Sequence, residues 1–141
     1  MVAHKVKDGK IVSSRVAAEW FDNLITDTGM ESLGAGASFM HAHGCVVGTG
    51  NATPTNSDTL LDTPLVVTTT IQVADANTKQ TTTTPYYVAS KITYRFGTGV
   101  AAGNLTEVGI CNDASTPTTS TPLFSRALIV DGTGTPTTIT I

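Results

Sequence analysis

Charge is scarce in this 141-residue chain, at 13% Asp, Glu, Lys and Arg, about half the usual quarter. The formal net charge of −3 argues against nucleic acid as the main partner, because phosphate binding needs concentrated Lys and Arg. The basic residues that do cluster, Lys5, Lys7, Lys10 and Arg15, lie at the amino end and read as a solvated arm. Aromatic residues are few, at 6%, and Trp20 is the single tryptophan. No apolar run approaches the roughly 18 residues of a membrane span, and the start, Met-Val-Ala-His-Lys-Val-Lys-Asp, has no apolar segment of a secretory leader behind it. The two cysteines, Cys45 and Cys111, stand far apart and define no disulfide framework. Both are expected reduced and buried. Without a secretory route, the sequons at Asn51 and Asn104 carry no meaning.

What is abundant is threonine, serine, glycine and asparagine, with 40% hydrophobic residues. That is too apolar for a disordered tail and long enough for one domain with a real core. β-branched threonines with little charge suit pleated, half-buried sheets. Asp8-Gly9 is a turn signal between Lys7 and Lys10. Residues 11–26 are ambiguous: Val16, Trp20, Phe21 and Leu24 fit a helical face, while Trp20–Ile25 also reads as a strand entering a turn. The bulk of Trp20 suits an anchor for the core or for a neighbouring subunit.

Thr28-Gly-Met-Glu31 has capping-box spacing and Gly34 the place of a C-cap glycine, which predicts one short helix over 28–34. Phe39–Val47 reads as a central strand covered on both sides. Gly48–Pro64 reads as a long ordered loop with a helical turn at Ser57–Leu61, and its length makes it a candidate contact loop. Strands follow at 65–73, 86–96, 105–111, 123–130 and 137–141, with a polar hairpin connection at 74–85 and Gly and Pro turns between. The expected fold is all-β, an antiparallel sandwich or jelly-roll-like barrel with the one short helix. Residues 1–19 are expected to be an arm docking on a neighbour, and residues 20–141 a single sandwich domain.

His41-x-His43-x-Cys45 places three potential metal ligands on one strand face. Successive same-face residues stand about 7 Å apart, wide for convergence on one ion, and no second cluster supplies a fourth ligand. Packing histidines and a buried thiol are the better account, so no metal and no cofactor are expected. Gly48-Thr-Gly50 and Gly132-Thr-Gly134 lack the Lys of a phosphate loop and read as turns. No histidine stands in a nucleophile motif, and Asp22, Asp27 and Glu31 have turn and cap roles at hand. The chain is expected not to be an enzyme. Trp20 and Tyr87 are the candidate interaction residues, Tyr87 because its strand face is the exposed one.

Several blocks occur in an order that resembles tail-fibre and related virion structural proteins of tailed bacteriophages. They are Trp20-Phe-Asp-Asn-Leu-Ile-Thr26 with Gly29 and Leu33-Gly34, Val47-Gly-Thr-Gly50 with Asp58-Thr-Leu-Leu61, and Tyr94-Arg-Phe96. Gly103-Asn-Leu-Thr-Glu-Val-Gly-Ile110 and Leu123-Phe-Ser-Arg-Ala-Leu-Ile129 complete the series, which spans about residues 20–141. The resemblance implies a β-rich structural subunit of a tail, collar, neck or fibre, assembled in the host bacterial cytoplasm into a symmetric particle. Its partners would be copies of itself and neighbouring virion proteins, with no membrane. A capsid decoration protein and a receptor- or glycan-binding tip module are the alternatives. The resemblance leaves open whether the last strand pairs within the chain or with a neighbour.

Overall fold

The architecture comes from a computed structural model, which describes residues 1–35, 42–74, 78–85, 87–89, 91–112, 116–131 and 133–140. The fold is all-β and antiparallel with one short helix. Val2–Lys7 (β1) and Lys10–Val16 (β2) form a separate two-stranded ribbon. Its turn is Asp8-Gly9, with φ of 50° and 74°. Two positive φ values in a two-residue loop match the right-handed twist of paired strands, which is why Asp-Gly works there.

Five strands form the main sheet. In chain order they are Leu24–Ile25 (β3), Ala42–Gly48 (β4), Pro64–Thr68 (β5), Glu107–Asn112 (β11) and Leu123–Leu128 (β12). Their spatial order is β3-β12-β11-β4-β5, so β4 is an interior strand. Gly44, Cys45, Val46 and Val47 are all buried, as expected for a strand covered on both faces. On one face Val47, Leu105, Ile129, Ile139, Ala18 and Ala101 pack together, joined by Phe21, Val66, Phe96 and Val108. On the other lie Val46, Leu61, Cys111 and Leu123, with Val67 against them. Burial of a side chain such as Leu105, Leu123 or Ile129 contributes about 1.5–3 kcal/mol.

The remaining strands pair in twos outside this sheet. Ile71–Ala74 (β6) pairs with Ile92–Tyr94 (β9), and Thr78–Gln80 (β7) pairs with Tyr87–Ala89 (β8). The two long strands expected at 65–73 and 86–96 are therefore each divided. At the first break the Thr70 amide donates to the Thr68 hydroxyl at 3.2 Å, and that hydroxyl donates to the Arg95 carbonyl at 2.7 Å. Side-chain bonds of this kind give the backbone an alternative to the ladder. Asn104–Leu105 (β10) pairs with Ile139–Thr140 (β13), so the final strand is paired within the chain.

The helix, Asp27–Gly34 (α1), begins earlier than its capping-box spacing implies. Its N-cap is Thr26, whose hydroxyl accepts from the Gly29 amide at 3.1 Å while donating to the Leu123 carbonyl at 2.5 Å. A buried hydroxyl with both roles filled outcompetes the half-buried Thr28. The C-cap is Ala35 rather than Gly34. A Cβ on Gly29 would stand 2.2 Å from the Phe124 carbonyl oxygen, so glycine is what lets α1 lie against β12.

Candidate functional site

The loop leaving β4 has no helical turn at 57–61; residues 49–63 are irregular throughout. Their order comes from a carboxylate beneath them. Glu107 begins β11 on the sheet face that also carries Gly48 and Arg126, and it is wholly excluded from solvent. Its Oε1 accepts from the amides of Gly50 at 3.0 Å and Thr63 at 2.8 Å, and its Oε2 from the amide of Asp62 at 3.0 Å. Arg126, on β12, adds Nε at 3.3 Å and Nη2 at 3.0 Å to the same Oε2. Five donors from the chain itself occupy the two oxygens, about the capacity of a carboxylate.

Arg126 completes the clasp from its other side. It is 3% exposed, its Nη2 donates to the Ala52 carbonyl at 3.0 Å, and its Nη1 pairs with Asp58. Asp58 in turn accepts from the Thr55 amide at 2.9 Å and the Thr55 hydroxyl at 2.7 Å. Burial alone would raise the Asp58 carboxyl, but the Thr55 donors and the Arg126 guanidinium together hold it below its ordinary 3.8. Asp62 accepts from the amides of Asn51 and Ala52 at 3.2 and 3.4 Å. Thr106 closes the base of the loop, its hydroxyl donating to the Gly50 carbonyl at 2.6 Å. Gly48 and Gly50 admit this packing because a Cβ on either would stand 2.5–2.6 Å from Glu107 Oε1.

The chemistry of this arrangement is to hold. Every polar group of the clasp is engaged by its own chain, and no buried side-chain nitrogen or oxygen lacks a partner among the described residues. The outward side of the loop presents Thr49, Asn51, Thr53, Thr55, Asn56, Ser57 and Thr59 to solvent. It is a polar surface fixed from beneath, which suits a contact made without a large ordering cost.

Of the other candidate residues, His41 lies outside the described residues. His43 lies on β4, and Cys45 is buried with its thiol pushed up to about 12 by burial and the nearby Cys111. The Cys111 thiol is raised to about 11 by burial. Both are protonated at neutral pH. Among the described residues no three His, Cys, Asp or Glu side chains form a group that could hold a metal. Trp20 is 86% exposed, so it is not a core anchor; Ala18 and Phe21 fill the core at that point. Tyr87, on β8, is 50% exposed. Among the described residues no helix is long and apolar enough to cross a membrane.

Glu107 and Arg126 are the buried ion pair that sequence reasoning did not single out. The available signal was one charge in each of two otherwise uncharged strands of a charge-poor chain. Comparison with protein-family models, curated proteins and solved structures finds no match to this chain.

Proposed function

We propose that this chain is a structural subunit of a tailed-phage virion, a component of the tail, the collar or neck, or a fibre. It acts by symmetric self-assembly and by docking on neighbouring virion proteins, and it turns over no substrate. It is assembled in the host bacterial cytoplasm and works in the particle.

One observation carries this reading. The blocks that resemble tail-fibre and related virion proteins supply the parts of the molecule that hold its shape. Gly48, Gly50 and Asp58, Glu107, and Arg126 come from three different blocks and meet in the clasp. Thr26 and Gly29, from another, make the junction between α1 and β12. What the chain shares with such proteins is thus a frame, and a frame with a rigid polar loop is suited to building rather than to catalysis.

Mass spectrometry of gradient-purified phage particles from an infection expressing this chain tests the reading. The expected result is the intact chain at a fixed copy number per particle that survives a high-salt wash. Recovery of the chain only in the soluble fraction of the lysate would overturn it.

A further inference from the structure

The ribbon of β1 and β2 concentrates positive charge on one of its faces. Strand pairing sets Lys7 opposite Lys10, Lys5 opposite Ser13 and Ala3 opposite Arg15, so these side chains share one face. At the root of the ribbon that face meets its own chain, where the Arg15 guanidinium donates to the Thr140 carbonyl at 2.6 Å. Beyond that contact Lys5, Lys7 and Lys10 are all exposed. Lys5 and Lys7 stand about 7 Å apart along β1, and Lys10 faces Lys7 across the pair, an unfavourable placement of like charges. Residues 1–16 hold half of the chain's eight Lys and Arg, against the single carboxylate of Asp8. Their side chains carry +3, which leaves −6 on the rest of the chain within the total of −3.

The opposite sign is presented by α1. Between Arg15 and Lys79 the chain has no Lys or Arg. Asp27, Met30, Glu31 and Gly34 recur at helical spacing and are all exposed, while Thr28, Gly29, Ser32 and Leu33 are buried or half-buried. One outward stripe of the helix therefore carries two carboxylates a turn apart, about 6 Å. The side chain of Met30, more than half exposed, lies beside them. Among the described residues none of Lys5, Lys7, Lys10, Asp27 and Glu31 has an ion-pair partner.

We infer that the basic face of the ribbon docks on the outward stripe of α1 in a second copy of the chain. This rests on the self-assembly part of the proposed function and names the two surfaces that meet. The spacing of Lys5 and Lys7 along the strand matches that of Asp27 and Glu31 along the helix, so two ion pairs form side by side. Lys10 adds a third cation beside Lys7, and the methylene stems of the lysines cover Met30. An anionic polymer or membrane would repel the −6 carried by the rest of the chain. In a second copy, that same excess is what the ribbon meets. Two different surfaces make the contact, so each copy offers a ribbon to one neighbour and a helix to another, which builds a ring when the rotation between copies closes.

The test is sedimentation velocity on the full chain over a concentration series to about 100 μM, with circular dichroism and the unfolding midpoint checking that each variant keeps its fold. The wild type is expected to associate, and to do so about tenfold more weakly when salt is raised from about 0.05 M to about 0.5 M. Lys5→Gln/Lys7→Gln/Lys10→Gln and Asp27→Asn/Glu31→Gln are each expected to associate about tenfold more weakly than the wild type. Mixed together, these two variants are expected to recover the wild-type affinity in a one-to-one pair, because one keeps the helix surface and the other keeps the ribbon. Association unchanged in either variant, or a mixture that does not pair, would overturn the contact. So would association that holds or tightens in salt, which is how the opposite, apolar face of the ribbon would behave. A wild type monomeric throughout, including one that instead sediments with phosphatidylglycerol vesicles, would overturn the second copy as the occupant. Absence of the chain from particles would overturn the virion reading and leave a measured, salt-sensitive association standing.

Discussion

Glu107 and Arg126 face each other across adjacent strands with Oε2 and Nη2 3.0 Å apart, at 0% and 3% exposure, and together they hold down a loop of fifteen residues, 49–63. Removing one partner of such a pair strands the other, which typically costs about 3–5 kcal/mol. Arg126→Leu is therefore expected to lower the unfolding free energy by about that much in a urea titration. Arg126→Leu combined with Glu107→Gln is expected to cost less than the sum of the two single changes, with a coupling of about 1–3 kcal/mol. Additivity would mean the clasp is no unit.

The glycines beneath the loop divide by the space above them. Gly48→Ala and Gly50→Ala each drive a methyl group against Glu107, and overpacking of this kind costs about 1–3 kcal/mol. Gly34→Ala meets nothing within 4 Å at the end of α1, and is expected to be neutral or to stabilise by up to about 1 kcal/mol. Thermal unfolding of the three variants side by side checks the order.

Thr26 and Thr28 separate two accounts of the same helix. Thr26→Ala removes the hydroxyl that caps Gly29 and leaves the Leu123 carbonyl without its donor, at an expected cost of about 1–2 kcal/mol. Thr28→Ala is expected to change stability by less than about 0.5 kcal/mol. Chemical denaturation of both measures the difference.

The helix shows where sequence pattern stops being sufficient. Antiparallel strands, the Asp8-Gly9 turn, the covered strand around Cys45 and the presence of one short helix near residue 30 were all legible, because each depends on local periodicity or turn chemistry. The cap was not, because Thr26 wins through a carbonyl on β12, almost a hundred residues away. The same applies to the loop after β4: its length was visible, but its order depends on Glu107 and Arg126 arriving from two later strands. The division of the strand at 65–73 escaped for a related reason, since the Thr68 hydroxyl bonds across to Arg95 rather than continuing an alternation. Of the two anchoring roles that bulk suggested for Trp20, the structure overturns the one in the core, where Ala18 and Phe21 do the filling.

Acid is expected to loosen the loop through Asp58. Its carboxyl is held below 3.8 in the folded protein, so its contribution is present above the unfolded value and is lost as pH falls through the lower, folded one. Wild type is expected to lose stability more steeply than Asp58→Asn below about pH 4, with the two curves parallel above about pH 5. Unfolding midpoints across that range check it; parallel curves at every pH would contradict it.

The thiols predict the opposite limb. Cys45 and Cys111 are raised to about 12 and about 11, so stability from keeping them neutral is complete below an unfolded value of 9.0 and lost as pH rises towards those values. At pH 8 both are expected to resist a thiol reagent in the folded protein and to react promptly in denaturant. Fast labelling of the folded chain would contradict their burial as protonated thiols.

Position in a particle tests the central claim most directly. Electron microscopy of purified virions labelled with an antibody against this chain is expected to show gold on the tail, the neck or the fibres, at one place in every particle. Label on the capsid shell would make the chain a decoration protein, and label at fibre tips a receptor-binding module; either would move it from the assignment made here. Particles without label, from an infection in which the chain is expressed, would contradict the virion assignment altogether.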